Sequence, residues 1–153
     1  MSDTKPTSDE ARFFAFFNEV GILSQLSSTM FGARLPKGIL VSHFAVLNHL
    51  TRVKDGRTPL ELARAFQVPK TTMTHSLGVL EKHRLIRLAP NPDDGRSKCV
   101  WITEAGTKFR SAAIEGLKPD LEKLAAQISG EKIAAILPIL QQLRLLMDSQ
   151  RPT

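Results

Sequence analysis

The sequence predicts a mainly α-helical protein with one small β-hairpin (an α+β chain), organised as a winged helix-turn-helix between two long helical regions. Three patterns predict this fold. Apolar residues recur every three or four positions over long stretches near both ends of the chain. Two short helical segments in the middle are separated by a break at 67–69. Two short apolar runs then flank a cluster of turn-forming residues, which is typical of a hairpin.

The composition is that of an ordinary globular protein. The chain has 153 residues, of which 42% are hydrophobic and 24% charged, and these values exclude wholesale disorder. Its net charge of +6 favours a polyanionic partner, either nucleic acid or a membrane surface. The single cysteine, Cys99, cannot form an intramolecular disulfide, and no signal peptide or apolar membrane span is apparent. We therefore expect a cytoplasmic protein without a membrane-spanning segment.

The N-terminal region is predicted to contain a disordered tail (1–7), followed by a long helix and its connection to the next element (8–41). Ser8 precedes two acidic residues and can accept a hydrogen bond from the first turn of this helix. The helix is expected to end at Gly32. The second helix is predicted to start with Ser42 as its cap.

The central region (42–106) contains the clearest helix start in the chain. Thr58 is placed as the N-cap, Pro59 as the first helical residue and Glu61 as the reciprocal member of a capping box. After the break, a further helix is predicted from about residue 70 to residue 83. The residues of its apolar face are Met73, Leu77 and Leu80.

The C-terminal region (107–150) is predicted to consist of helices with apolar stripes. Pro119 is expected to kink or divide the first of them, because proline lacks the N–H that an interior helical residue donates. Ser129 is placed as the cap of the last helix, and Pro138 is expected to interrupt it.

Two short helices followed by a hairpin form a winged helix-turn-helix, in which the first helix supports the second. The second helix then projects its polar side chains into the major groove of DNA, which is wide enough to admit a helix. The polar residues opposite its apolar face are Lys70, Thr71, Thr74 and His75. At the hairpin tip, Arg96 and Lys98 are placed to enter an adjacent minor groove or to bind the phosphate backbone.

The charge distribution supports a nucleic-acid partner. Between Arg52 and Arg110 the chain has 12 Lys and Arg against 6 Asp and Glu, so this segment carries the whole excess of +6. A membrane-binding protein more typically carries such an excess on a terminal amphipathic helix. Double-stranded DNA is therefore the favoured partner.

Two motifs are the most specific in the chain: Asp-Asp-Gly-Arg at 93–96 in the hairpin, and Thr-Glu-Ala-Gly at 103–106 before the next helix. Together with the helical pattern from about residue 58, they resemble the MarR family of bacterial transcriptional regulators. The resemblance implies a homodimer held by its N- and C-terminal helices. It also implies binding to a pseudo-palindromic operator, usually as a repressor that a small ligand releases.

The resemblance also implies roles for individual residues. The recognition-helix contacts would be Lys70, Thr71, Thr74 and His75. In the wing, Asp94 would orient Arg96, the groove contact. Three positions depart from the family pattern: Pro69 replaces a capping Ser or Thr, His75 replaces a more usual Arg, and Arg84 replaces a glycine, so that the end of the recognition helix is expected to be less tightly turned.

Other residues have both a functional and a structural interpretation. The terminal stripes favour a dimer interface over packing between the two ends of one chain; its residues are Phe13, Phe17, Leu140, Leu143 and Met147. An aromatic or phenolic effector would contact Phe14, Phe17, His43 and Phe44, although aromatic residues at helical spacing more often form a core. Cys99 is interpreted as inert packing rather than as a redox sensor.

The favoured function is sequence-specific DNA binding, and the alternative is a winged-helix module that binds protein instead. An enzyme is not expected, because the sequence contains no catalytic triad order, phosphate-binding glycine loop or suitably spaced carboxylate pair. No cofactor is expected. A metal site is not expected either, since no two of the four histidines are three or four residues apart.

Overall fold

The computed structural model describes residues 8–152, and the predicted tail at 1–7 lies outside them. Within these residues the protein is mainly α-helical with one small hairpin, as the sequence predicts. They fall into two compact units, one ending at Gly116 and the other beginning at Leu117. The elements are α1 (Asp9–Gly32), α2 (Val41–Arg52), α3 (Pro59–Phe66), α4 (Lys70–Lys82), β1 (Ile86–Pro90), β2 (Lys98–Ile102), α5 (Glu104–Ala125) and α6 (Gly130–Ser149).

The core of the first unit lies between α2, α3, α4 and the hairpin. Its fully buried side chains include Leu47, Leu62, Leu80 and Val100, so every one of these elements contributes an apolar face. On α4 the buried residues are those that the sequence places inward: Met73, Leu77 and Leu80. Burial of one face leaves the opposite, polar face of α4 exposed to solvent.

Capping determines where the helices begin. The capping box at α3 is confirmed: the Glu61 N–H donates to Thr58 Oγ1 at 3.2 Å, and the Thr58 N–H donates to Glu61 Oε2 at 2.8 Å. Ser8 and Ser129 accept hydrogen bonds from the first turns of α1 and α6, as expected. Ser42 does not cap α2; that prediction is wrong.

The N-cap of α2 is Leu40, one position before the helix begins at Val41. Leucine has no side-chain acceptor, so only the reciprocal bond of a capping box is made, from the N-cap N–H to the side chain of the third helical residue. Here the Leu40 N–H donates to Nδ1 of His43 at 2.9 Å. This bond orients the start of α2 without any contribution from Ser42.

The two helices of the helix-turn-helix end in the same way. At the end of α4, the Leu85 N–H donates to the Leu80 carbonyl at 3.0 Å and the Arg84 N–H to the Glu81 carbonyl at 2.8 Å, which is a Schellman motif. Arg84 has φ of 59°, and Gln67 at the end of α3 has φ of 54°. The expectation of a looser turn at Arg84 is therefore wrong: the turn is complete, and Arg84 adopts the left-handed conformation that favours glycine.

Neither internal proline divides its helix. Pro119 lies inside α5 and Pro138 lies inside α6, and both helices continue past them. The expected interruption of the last helix at Pro138 is thus wrong. Each proline removes one i to i−4 hydrogen bond, and the remaining bonds keep the segment helical.

The hairpin pairs β1 with β2 in an antiparallel register in which Leu88 is opposite Val100. A further strand-like contact was not predicted from the sequence: the Val100 N–H donates to the Arg57 carbonyl at 2.7 Å and forms an isolated bridge. Beside it, Asp55 Oδ1 accepts the Ile102 N–H at 3.0 Å. The segment between α2 and α3 therefore fixes the base of the wing.

None of the helices among the described residues is both long enough and apolar enough to cross a membrane.

Candidate nucleic-acid interface

The recognition helix α4 presents a short-chained polar face. Thr71, Thr74 and His75 are all exposed, as is Lys70 at its start. One turn later, Gly78 is also exposed, and no described atom lies within 4 Å of the position that a β-carbon would take there. The face is thus open, with Lys70 at its N-terminal end and Lys82 at its C-terminal end.

The start of α4 lacks a side-chain cap. Pro69 occupies the N-cap position and makes no side-chain hydrogen bond to the first turn, so the effect expected from this departure is confirmed. The N–H groups of the first turn of a helix have no partner inside the helix. They lie beside Lys70, and together they give this end of α4 a positive electrostatic potential.

A single carboxylate organises the wing tip. Oδ1 of Asp94 accepts the Arg96 backbone N–H at 3.0 Å and the Arg96 Nε–H at 3.2 Å. The backbone bond first, and then the guanidinium bond, lower the pKa of Asp94, so the carboxylate stays charged. The Arg96 side chain is nevertheless 93% exposed. Its Nε is therefore held while its terminal nitrogens project into solvent.

A second polar contact closes the same turn and was not found from the sequence. Asn91 donates through Nδ2 to the Ser97 hydroxyl at 2.9 Å, across the base of the tip. The side-chain oxygen of Asn91 also accepts the Asp93 N–H at 3.0 Å. An asparagine at the first position of a turn was the available signal, because its side chain commonly bonds to the backbone two residues later.

The start of α3, the first residue of α4 and the wing line an open cleft of about 670 Å³. Lys70, Arg96 and Lys98 all line it, so the fold brings together three of the cations that the sequence singles out. Thr71, Thr74 and His75 lie on the exposed helix face next to this cleft and not in its lining. The cleft and the adjacent face of α4 thus form one surface. It has cations in the cleft and short polar side chains on the helix.

The start of α5 ties down the base of the wing. The Thr103 hydroxyl donates to the Arg84 carbonyl at 2.7 Å and accepts the Gly106 N–H at 3.0 Å. The Thr103 N–H donates to the Leu85 carbonyl at 3.1 Å. This explains the Thr-Glu-Ala-Gly motif physically, since it joins the end of α4 to α5 and so holds the wing in place.

The remaining candidate residues lie apart from this surface. In the first unit, Phe13, Phe14 and Phe17 are exposed on α1, whereas His43 and Phe44 are buried. Phe44 packs against Phe31 with 4.4 Å between ring centroids. In the second unit, Met147 is exposed, and Leu140 and Leu143 are half-buried. Cys99 is buried in β2.

The winged region matches a known family. The model of the MarR family matches residues 37–97, from just before α2 to the wing tip. The winged region of this chain is therefore similar to the MarR family. The transcriptional regulator HosA of Escherichia coli O111:H- is 32% identical over 79 residues, which are 52% of this chain and 58% of that protein. The match thus spans little more than half of this relative.

Solved MarR structures share the fold of the chain. A mutant MarR from E. coli complexed with operator DNA has a TM-score of 0.69 at 20% identity, covering 89% of this chain and 98% of that one. A MarR transcriptional regulator from Methanosarcina mazei Go1 has a TM-score of 0.73 at 21% identity, covering 86% of this chain and 97% of that one.

Proposed function

We propose that this protein is a transcriptional regulator that binds double-stranded DNA sequence-specifically, as a homodimer on a pseudo-palindromic operator. The observation that carries the proposal is the cleft in which Lys70, Arg96 and Lys98 converge beside the exposed polar face of α4. Such a surface offers phosphate contacts and a helix of the right size for the major groove. The E. coli MarR structure that is complexed with operator DNA has the same fold and supports this assignment.

Each half of the surface has a distinct role in the proposal. Arg96 reaches the minor groove or the backbone beside the operator, because Asp94 holds its Nε and leaves the terminal nitrogens free to bind. Thr71, Thr74 and His75 contact base edges and phosphates in the major groove. Lys70 and Lys98 neutralise phosphates, which positions the domain without reading sequence.

The salt dependence of DNA binding tests the proposal. If two subunits each use three cations, the logarithm of the association constant should fall with the logarithm of salt concentration with a slope of roughly −5. Arg96→Ala should weaken binding to a duplex selected from a random-sequence pool by at least about tenfold, with little loss of thermal stability. Arg12→Ala, which removes one exposed arginine outside the winged domain, is the matched control and should change affinity little.

Two results would count against the proposal. One is the absence of binding to any duplex at low salt, which would favour the alternative, a protein-binding module. The other is an unchanged affinity of the Arg96→Ala variant, which would remove the wing from the interface.

The dimer is proposed from the apolar faces of the terminal helices. On α1, Phe13 is 52% exposed and Phe17 is exposed as well, although both are large apolar residues. In the second unit, Met147 on α6 is likewise exposed. Apolar stripes of this length are stabilised when a second copy covers them. Sedimentation of the full chain should give a dimer, and a chain ending at Gly130 should be unstable or monomeric. A soluble dimer of the shorter chain would place the interface elsewhere.

The same proposal includes regulation by a ligand. The protein acts as a repressor, and an aromatic or phenolic effector releases it from the operator. Phe14 and Phe17 are exposed on α1, and His43 and Phe44 are buried. A ligand that contacts all four therefore requires α1 to move or a second subunit to complete the site. Adding benzoate or phenol to the protein–duplex complex tests this, and unchanged affinity at saturating ligand would argue against it.

A further inference from the structure

His43 occupies an unusual structural position. It is the third residue of α2, where capping boxes normally have Glu or Gln, and its Nδ1 accepts the Leu40 N–H at 2.9 Å. It is also 5% exposed. A neutral imidazole therefore acts here as the acceptor, with its proton on Nε2. Protonation of Nδ1 would convert this acceptor into a donor that faces another N–H.

The surroundings of His43 contain little that would stabilise a positive charge. The chain has no carboxylate between Glu19 and Asp55, so neither α2 nor the second half of α1 supplies one. The ring also lies at the N-terminal end of a helix, where the helix dipole disfavours cations. Burial lowers the pKa of His43, and the charges of His75 and His83 lower it further.

The charged and titratable groups of the elements that pack against α2 are mostly basic. They are Lys70, His75, Glu81 and Lys82 in α4, His83 at its end, and Lys98 in β2; α2 itself adds His49 and Arg52, the preceding loop adds Arg34 and Lys37, and the first half of α1 adds Asp9, Glu10, Arg12 and Glu19. From α5, Arg110 donates through Nε to Asn48 of α2 at 3.0 Å.

We propose that His43 is a positioning residue for the recognition helix, through which acidification weakens binding to the operator. The proposal rests on the DNA-binding function proposed above and adds its regulation. In the neutral state the His43 bond fixes the first turn of α2, and α4 packs against α2. When a proton from solvent binds Nδ1, the Leu40 bond breaks and a buried charge faces His75 and His83. The start of α2 then loosens, and α4 loses its support.

The exposed His75 on the DNA-facing side of α4 predicts the opposite effect. A proton on His75 adds a cation to the surface that meets phosphate and so should strengthen binding. The sign of the pH dependence therefore separates the two histidines. If acidification weakens DNA binding, some group must destabilise the DNA-binding conformation when it becomes charged. His43 is such a group, because its buried Nδ1 accepts the Leu40 N–H.

The experiment measures affinity for one duplex, selected from a random pool at pH 8, between pH 8 and pH 5.5 at constant ionic strength. Each subunit of the proposed dimer carries one His43, so the wild type should lose up to about tenfold in affinity per subunit for each pH unit below the pKa of His43. The variant His43→Gln keeps an acceptor for the Leu40 N–H and cannot titrate, so it should bind normally at pH 8 and lose far less on acidification. The control His75→Gln should weaken more steeply than the wild type.

An equal loss of affinity in His43→Gln and wild type would overturn the proposal. So would a nitrogen-15 NMR spectrum of the wild type that shows Nδ1 of His43 protonated at pH 8, and this measurement requires no variant. If the wild type binds no duplex at pH 8, the DNA-binding function fails. The role of His43 is then decided by thermal unfolding, where His43→Gln should flatten the fall of stability between pH 8 and 5.5.

Discussion

Two glycines on the same helix, Gly106 and Gly116, should respond in opposite ways to replacement by alanine. A β-carbon at Gly106 would overlap the Leu85 carbonyl oxygen, and it would lie 3.0 Å from the Leu85 carbonyl carbon and 2.8 Å from Cγ1 of Ile102. At Gly116 no described atom lies within 4 Å of the corresponding position. Because both residues lie in α5, alanine brings a similar gain in helix propensity at each position. The two variants therefore differ mainly in what the added β-carbon contacts.

The expected magnitude follows from these contacts. Gly116→Ala should raise the free energy of unfolding by about 0.5–1 kcal/mol, because alanine restricts the unfolded chain and favours the helix. At Gly106 the clash is with backbone, which no side-chain rotation relieves, and overpacking of this kind costs about 1–3 kcal/mol. Separating α5 from Leu85 also stretches the two Thr103 bonds to residues 84 and 85, each worth about 1 kcal/mol. After the propensity gain, Gly106→Ala should lose about 2–4 kcal/mol.

Chemical denaturation at pH 7.5 measures both effects, and a thermal melt should show a midpoint lower by roughly 4–16 °C for Gly106→Ala. If Gly106→Ala proves as stable as the wild type, or if the two variants change stability in the same direction, the close approach of α5 to Leu85 does not limit the fold. The reasoning about the base of the wing would then be refuted.

Three further predictions concern helices α2 to α4 and their ends. Arg84→Gly should stabilise by about 0.5–1 kcal/mol, because glycine adopts φ of 59° without strain, whereas Lys82→Gly at the last position of α4 should destabilise by up to about 1 kcal/mol; denaturant titrations compare them. Pro69→Ser should be about 1 kcal/mol more stable than Pro69→Ala, because serine supplies the missing cap of α4; equal midpoints would show that the first turn needs none. The free energy of unfolding should fall as pH drops below 6.5, the ordinary pKa of histidine, because burial lowers the pKa of His43 and the unfolded chain then binds more protons. The fall should stop below the pKa of His43 in the folded protein, and His43→Gln should lessen it. The remainder should come from His49, because burial and the charge of Arg57 also lower its pKa.

Most of the successes of sequence reasoning involve residues that are near neighbours in the chain. The Thr58 and Glu61 capping box, the inward face of α4 and the missing cap at Pro69 all depend on groups within a few residues of one another. It failed at Ser42 because α2 begins at Val41, so that Leu40 takes the N-cap position and Ser42 lies inside the first turn. It also failed at Pro138, because proline removes one bond from a helix that has many others.

The sequence by itself determined the elements, their order and the charge excess of the winged region, since capping, periodicity and composition are local properties. Only the tertiary structure decided how distant residues meet. Arg57 pairs with Val100, Gly106 lies against Leu85, and Lys70 shares a cleft with Arg96. These contacts join segments that lie about 20 to 45 positions apart in the chain, and their geometry is set by the packing of whole elements around a common core. Local sequence patterns carry no information about distances between residues that are far apart in the chain. The individual site residues could therefore be proposed from the sequence, whereas their arrangement in one cleft is visible only in the folded structure.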